Sequence, residues 1–208
     1  MEWIYRVFDG LLVFFLSFRY RVTYEGLENL PPRSVRNYLV ACNHISMADP
    51  IFLAFRLKPW VRFMGKAELF QNPWIGWACY LVGGFPVSRG TGDMGALEHG
   101  IELYKSGYPL AIFPEGTRSK DGKPGRPKSG LALLAKTTGA DILPCAVIYG
   151  EKKGLRIPLT VKYGKVIPHA ELGLEGESPR ELRKATKRIW NDILGLWGVD
   201  PDAENNAG

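Results

Sequence analysis

The sequence predicts an α/β fold, a single layered domain with a mixed, largely parallel sheet flanked by helices. Short apolar runs of strand length alternate with segments of helical periodicity, which is the pattern of such layered folds. A chain of 208 residues is long enough to bury one sizeable core. Hydrophobic residues make up 46% of it and charged residues 23%, which excludes a disordered or collagen-like chain.

An N-terminal helix is predicted over residues 3–18, and it is too short to span a bilayer. Its unbroken apolar part, Leu11–Leu16, is about 9 Å long as a helix, whereas a bilayer core needs about 30 Å. Arg6 and Asp9 interrupt the longer stretch, and no small-residue cleavage site follows as in a signal peptide. Two alternatives remain: a helix lying in a membrane interface, with the arginines that follow it facing lipid phosphates, or an ordinary core helix.

The strands are predicted from short apolar runs bounded by polar residues, glycine or proline. These runs are Tyr38–Cys42, Val61–Met64, Phe85–Ser88, Leu110–Phe113 and Ile142–Val147, and Leu155–Ile167 is predicted to be extended with a break at Gly164.

The helices are predicted from periodicity and from start and stop signals. One begins at Asp49-Pro50, others cover Pro73–Val82, Gly95–Lys105 and Ser129–Thr138, and a capping box at Ser178 opens the last, which runs to about Trp197.

The first segment with chemical potential is 43–49, between a strand and a helix. A neutral imidazole such as that of His44 can accept a proton at pH 7, and it works best when its other nitrogen donates to a fixed carboxylate. On a continuous helix Asp49 would lie about 140° away from His44, so the two meet only if residues 44–48 form a turn. The alternative is that Asp49 is merely a helix cap and His44 a loop histidine.

The second segment, 113–119, follows a strand directly and opens a basic stretch. Between Thr117 and Lys136 there are six lysines and arginines against one aspartate. Arg118 lies close to the strand end, and its planar guanidinium suits a phosphate, whereas the outer lysines are typical of a solvated loop. Lys66 and Arg89 also follow predicted strands, and three cations at the ends of three strands favour an anion site.

These motifs occur in a characteristic order: NHxxxxD at 43–49, KxEL at 66–69, a glycine-to-arginine stretch at 83–89, FPEGTRS at 113–119 and ILPCAV at 142–147. The chain thereby resembles the glycerolipid acyltransferase superfamily, and within it the 1-acyl-sn-glycerol-3-phosphate acyltransferases. The resemblance covers residues 43–147. Pro86 departs from it, because the family commonly has an aromatic residue near this position of the second motif.

The resemblance implies transfer of a fatty acyl group from acyl-CoA or acyl carrier protein to the sn-2 hydroxyl of lysophosphatidic acid, giving phosphatidic acid. It implies His44 as the general base and Asp49 as the group that orients it, with no cofactor and no metal. The implied acceptor-binding residues are Lys66, Arg89, Glu115, Gly116, Thr117 and Arg118. Another lysophospholipid as acceptor remains an alternative.

A lipid substrate implies a membrane surface as partner, and it favours the interfacial alternative for the N-terminal helix. We therefore expect a membrane-interface helix over 1–24, an acyltransferase domain over 25–199 and a flexible tail over 200–208. The expected location is monotopic, on anionic lipids at the cytoplasmic face, where thioester donors occur.

Two other classes of function are disfavoured, and the cysteines indicate the compartment. GxGxxG at 90–95 is typical of a dinucleotide-binding oxidoreductase, but too few strand–helix units follow it. A net charge of +6 and a pI near 9.2 would suit a nucleic-acid binder, yet the basic residues have neither interleaved stacking aromatics nor a helix-turn-helix pattern. The three cysteines form no CxxC pair, which favours a reducing compartment without structural zinc.

Overall fold

One mixed sheet of seven strands organises the part of the chain that the computed structural model describes, residues 2–58, 60–87, 94–152, 154–176 and 178–200. In chain order the strands are β1 (Tyr20–Glu25), β2 (Leu39–Cys42), β3 (Arg62–Lys66), β4 (Gly84–Val87), β5 (Leu110–Ile112), β6 (Ile142–Tyr149) and β7 (Ile157–Tyr163). Their order across the sheet is β1-β7-β6-β2-β5-β3-β4.

The pairing confirms the predicted mixed, largely parallel sheet. Strands β6, β2, β5, β3 and β4 are parallel to one another, and β1 is parallel to β7. The antiparallel pair is the β6–β7 hairpin. Because β2, β5 and β3 are parallel neighbours, their carboxyl ends meet at one edge, where crevices form in α/β folds.

The helices cover both faces of this sheet. They are α1 (Glu2–Ser17), α2 (Asp49–Ala54), α3 (Ala67–Gln71), α4 (Pro73–Leu81), α5 (Met94–Lys105), α6 (Gly130–Thr138) and α7 (Pro179–Trp197). Side chains of α5, α6 and α7 fill the core on one face, and those of α2 fill the core on the other. Helix α7 buries Ala185, Ile189 and Ile193, as its periodicity predicts.

The N-terminal region differs from its prediction in extent. The predicted helical unit ran to residue 24, but α1 ends at Ser17 and the chain enters β1 at Tyr20. The alternation of YRVTYE is itself a strand signal, and this edge strand pairs with β7 along its whole length. None of the described helices combines the length and the apolar character that crossing a membrane requires.

The segment 155–167 is divided at Gly164, as predicted. Strand β7 ends at Tyr163, and a Cβ on Gly164 would lie 2.9 Å from Leu196 and 3.0 Å from Pro144. Beyond the break, Ile167 returns to the sheet and forms an antiparallel bridge with Ile142. The bulk of these neighbours thus explains why glycine occupies the break.

Candidate active site

The imidazole of His44 and the carboxylate of Asp49 meet at the carboxyl end of β2. The distance between His44 Nδ1 and Asp49 Oδ2 is 2.9 Å. The contact exists because residues 44–48 form a turn, closed by the Asp49 N–H, which donates to the Ser46 carbonyl at 3.2 Å. We call residues 43–49 the histidine loop. With Nδ1 donating to the carboxylate, Nε2 is left as the proton acceptor.

The Asp49 carboxylate is fully buried and has four hydrogen-bond partners. Besides His44, the N–H groups of Ile45 and Ser46 donate to Oδ2, each at 2.7 Å. The hydroxyl of Tyr149, at the end of β6, donates to Oδ1 at 2.6 Å. Burial and the nearby Asp49 carboxylate raise the pKa of Tyr149, so its hydroxyl stays a donor. These four hydrogen bonds offset the free-energy cost of removing the carboxylate from water.

Asn43 fixes the point at which the chain leaves the sheet. Its side-chain amide donates to the Val147 carbonyl at 2.9 Å, and its Oδ1 accepts from the Val147 N–H at 2.7 Å. A side chain thereby pairs with β6 where the backbone pairing of β2 ends, and it is completely buried. This anchoring lets the next residue, His44, turn out of the sheet, where its side chain remains 17% exposed.

The second motif lies at the carboxyl end of β5 and fixes the backbone of the first. We call residues 113–128 the arginine loop. The His44 N–H donates to Glu115 Oε1 at 3.0 Å, and the His44 carbonyl accepts from the Ser119 N–H at 2.8 Å. The ring of Phe113 stacks on the imidazole with 4.0 Å between centroids. The two motifs therefore form one site, although about 70 residues separate them.

Both carboxylate oxygens of Glu115 accept hydrogen bonds from backbone N–H groups. Oε2 accepts from the Gly125 N–H at 2.9 Å, so the carboxylate connects the histidine loop with the far side of the arginine loop. A Cβ on Gly125 would lie 2.8 Å from Oε2, which explains the glycine. Burial raises the pKa of Glu115, and the N–H groups of His44 and Gly125 oppose that rise.

The predicted cations have different surroundings. Arg118 is exposed and makes no ion pair with another described residue. Lys66, the last residue of β3, is 48% exposed and pairs with Glu68 at 2.9 Å. Arg89 lies outside the described residues. The GxGxxG segment lies largely outside them too, since only Met94 and Gly95 belong to α5.

Two further predicted residues belong to the turn of the arginine loop. Gly116 has a φ of 72°, a conformation that favours glycine, and the Lys128 side chain passes over it: a Cβ there would lie 3.1 Å from Lys128 Nζ. Thr117 is exposed beside it. Within the described ranges, histidines, cysteines and carboxylates form no cluster that could hold a metal ion.

Sequence reasoning missed three residues of this site. Asn43 stood in a quoted motif but received no role, although a polar residue ending an apolar strand is a signal for one. Tyr149 carries no sequence signal, because it lies 100 residues from its partner Asp49. Gly125 is one of three glycines in the arginine loop, and only its contact with Glu115 distinguishes it.

Comparison with known proteins places this site in a family. A family model described as Acyltransferase matches residues 21–148. The 1-acyl-sn-glycerol-3-phosphate acyltransferase of Bacillus subtilis is 34% identical over 144 residues, which are 69% of this chain and 70% of that protein. The chloroplastic enzyme of that name from Arabidopsis thaliana is 37% identical over 131 residues, but the chain spans only 36% of its length.

A solved structure has a similar fold. The crystal structure of the 1-acyl-sn-glycerophosphate acyltransferase PlsC from Thermotoga maritima matches with a TM-score of 0.69. The match covers 98% of this chain and 79% of that one, at 27% sequence identity. The family resemblance of the motifs is thereby confirmed over the fold as a whole.

Proposed function

Since the chain belongs to the acyltransferase family, we propose that it transfers a fatty acyl group from a thioester carrier to the sn-2 hydroxyl of lysophosphatidic acid. The product is phosphatidic acid, and the donor is acyl-CoA or acyl carrier protein. The names of the similar proteins support the reaction and the acceptor. The observation that carries the proposal is the 2.9 Å contact of His44 and Asp49 beside the loop that bears Arg118.

In the proposed mechanism, His44 Nε2 removes the proton from the acceptor hydroxyl as the oxygen attacks the thioester carbonyl. Asp49 keeps the ring oriented and stabilises the imidazolium that forms. Collapse of the tetrahedral intermediate breaks the carbon–sulfur bond, and the departing thiolate takes up the proton from His44. A thioester is already activated and thiolate is a good leaving group, so transfer can be direct, without a covalent enzyme intermediate.

Recognition of the acceptor phosphate is assigned to cations at the same sheet edge. The carboxyl end of β5 carries Arg118, and the neighbouring strand β3 ends at Lys66. An exposed guanidinium can form two parallel hydrogen bonds to a phosphate. Lys66 would give up its ion pair with Glu68 to bind the phosphate, and this costs little free energy because the pair is exposed. Arg89 is retained as a third proposed ligand of the phosphate.

Glu115 and Gly116 have positioning roles in this proposal. The Glu115 carboxylate holds the backbone of His44, and the Gly116 turn presents Thr117 and Arg118 to the acceptor. Substitutions of Glu115 would therefore act through the position of the imidazole rather than through lost contact with phosphate.

The proposed location is monotopic, on the cytoplasmic face of a membrane, with α1 in the interface. The exposed side chains of Phe14, Phe15 and Phe18 support this, as does the pair Arg19 and Arg21 that follows. Because β1 belongs to the sheet, the proposed acyltransferase domain begins at Tyr20 rather than at residue 25 and runs to residue 199. The proposed tail, 200–208, lies outside the described residues except for Asp200.

The test is an assay of the purified protein with labelled acyl-CoA and lysolipids that share one acyl chain but differ in headgroup. We expect transfer to lysophosphatidic acid at a kcat/KM at least about tenfold above that for lysophosphatidylcholine, since a monoester phosphate presents the larger charge. His44→Ala should lower the rate at least about 10²-fold. Equal rates for both acceptors would refute the assignment of lysophosphatidic acid as the acceptor. An unaffected His44→Ala variant would refute the role of His44 as general base.

A further inference from the structure

Exposed large apolar side chains of the described residues concentrate on two neighbouring helices, α1 and α4. The two helices contact each other, and α1 also packs on α2. Together they form what we call the aromatic surface: Val7, Leu11, Phe14, Phe15 and Phe18 from α1 and the turn after it, and Trp74, Ile75, Trp77 and Tyr80 from α4. Such a patch on a chain of this size marks an interaction site.

The packing of α4 fixes which of its faces is exposed. Gly76 is buried, and a Cβ there would lie 2.9 Å from the Phe70 carbonyl, so this side of α4 lies against α3. At roughly 100° per residue, Trp74 and Trp77 fall on the outer side of the helix. Trp74 is 82% exposed. Asn72 caps the helix by accepting hydrogen bonds from the N–H groups of its first turn.

The composition of α4 is unusual for a helix that faces water. Its nine residues, PWIGWACYL, include no charged side chain. Indole and phenol rings favour the boundary between headgroups and acyl chains, because one part of each ring is apolar and another forms hydrogen bonds. Exposed arginines, Arg19 and Arg21, follow α1 and can face lipid phosphates.

We propose that α4 is a second membrane-docking element, which together with α1 seats the protein on an anionic lipid bilayer. This inference rests on the proposed function, since a lipid acceptor lies in such a bilayer. Charge complementarity favours lipid over a second copy of the chain. In a two-fold dimer through this surface, like patches meet, so the arginines beside it would approach their own copies.

The histidine loop also carries an exposed apolar side chain. Met47, in the histidine loop, is 47% exposed and lies two residues before α2, the helix on which α1 packs. In this proposal an acyl chain held in the bilayer would approach His44 along the histidine loop.

The experiment compares Trp74→Glu with a control that makes the same kind of change elsewhere. Val35 is 40% exposed and stands four residues before β2, on the amino-terminal side of the strand whose carboxyl end leads to His44. Binding to vesicles of phosphatidylcholine and phosphatidylglycerol is measured by co-sedimentation. We expect Trp74→Glu to weaken partition at least about tenfold, the effect of losing roughly 60 Å² of apolar contact. Val35→Glu and the conservative Trp74→Phe should stay within about threefold.

Two outcomes would overturn the inference. One is equal binding by Trp74→Glu and Val35→Glu. The other is a dimer in vesicle-free buffer that Trp74→Glu converts to a monomer, because a second copy would then cover the surface. Activity on monomeric short-chain lysophosphatidic acid without vesicles separates this inference from the function: all variants should match wild type there, and an inactive wild type would refute the function alone.

Discussion

Replacing Asp49 by asparagine separates the charge of this residue from its geometry. In the structure Oδ2 accepts from His44 and two backbone N–H groups, while Oδ1 accepts from Tyr149. An asparagine oxygen in the Oδ2 position keeps the first three bonds, and its amide can donate to the Tyr149 hydroxyl oxygen. The thermal stability of Asp49→Asn should therefore remain close to that of wild type, which is measured by the unfolding midpoint.

The catalytic loss follows from the missing negative charge. An imidazolium and a carboxylate whose charge centres lie about 4 Å apart interact by ~4 kcal/mol at an effective dielectric constant of about 20. The Nδ1–Oδ2 distance of 2.9 Å is consistent with that separation. The neutral amide oxygen still accepts a hydrogen bond from the ring, which recovers about 1 kcal/mol of this energy. We expect kcat to fall about 10²-fold, with about 10³-fold as the Coulomb limit.

A mutant cycle decides whether the two residues act as one unit. The rates of His44→Ala, Asp49→Asn and the double variant are measured at saturating donor and acceptor. If Asp49 acts through His44, the double variant should be no slower than His44→Ala. Two results would show that this charge does not support the imidazole. One is a double variant whose loss of rate equals the product of the two single losses, and the other is an Asp49→Asn rate within about threefold of wild type.

Three other perturbations test the remaining parts of the site. Arg118→Ala should lower kcat/KM for lysophosphatidic acid about 10- to 100-fold, chiefly through KM; Lys120→Ala, which removes a charge from the same loop, should not, and equal weakening towards an uncharged acceptor would exclude phosphate contact. Folding raises the pKa of Glu115 above its ordinary 4.5. Just above pH 4.5 the folded protein therefore binds more protons at this group than the unfolded chain does. In that pH window Glu115 makes the free energy of unfolding fall as pH rises. Glu115→Gln should flatten the slope in that window, and parallel unfolding profiles would refute the assignment. Deleting residues 1–18 should reduce flotation with liposomes, and unchanged flotation would locate membrane contact elsewhere.

Most of the fold could be read from local patterns. The runs Leu39–Cys42 and Ile142–Tyr149 are predicted almost in place, because a strand buried on both faces is a short continuous apolar run. The edge strand Tyr20–Glu25 was counted with the helix before it, since half of its residues are polar and the apolar helix is the stronger signal. Its assignment depends on its partner, β7, which lies more than 130 residues further along the chain.

The chemical groups of the site were identifiable, whereas their supports were not. His44 and Asp49 stand five residues apart, so a turn could be anticipated from Asp49-Pro50, and the 2.9 Å contact agrees with it. The phenol of Tyr149 reaches Asp49 from β6, and the carboxylate of Glu115 reaches the His44 N–H from the loop after β5. Lys66 is predicted from the resemblance as a phosphate ligand, and in the structure it pairs with its neighbour Glu68.

Residue types and their short spacings set which groups can take up a proton or bind an anion, because these capacities belong to single side chains. Whether they act together depends on strand order. β2 and β5 are neighbours in the sheet but not in the chain, and their parallel pairing brings the histidine and arginine loops to one edge. The solvent exposure of each side chain is likewise a property of the packed chain: Asp49 is enclosed among four donors, whereas Trp74 is open to solvent. No local stretch of sequence encodes it, since it arises from contacts between distant segments.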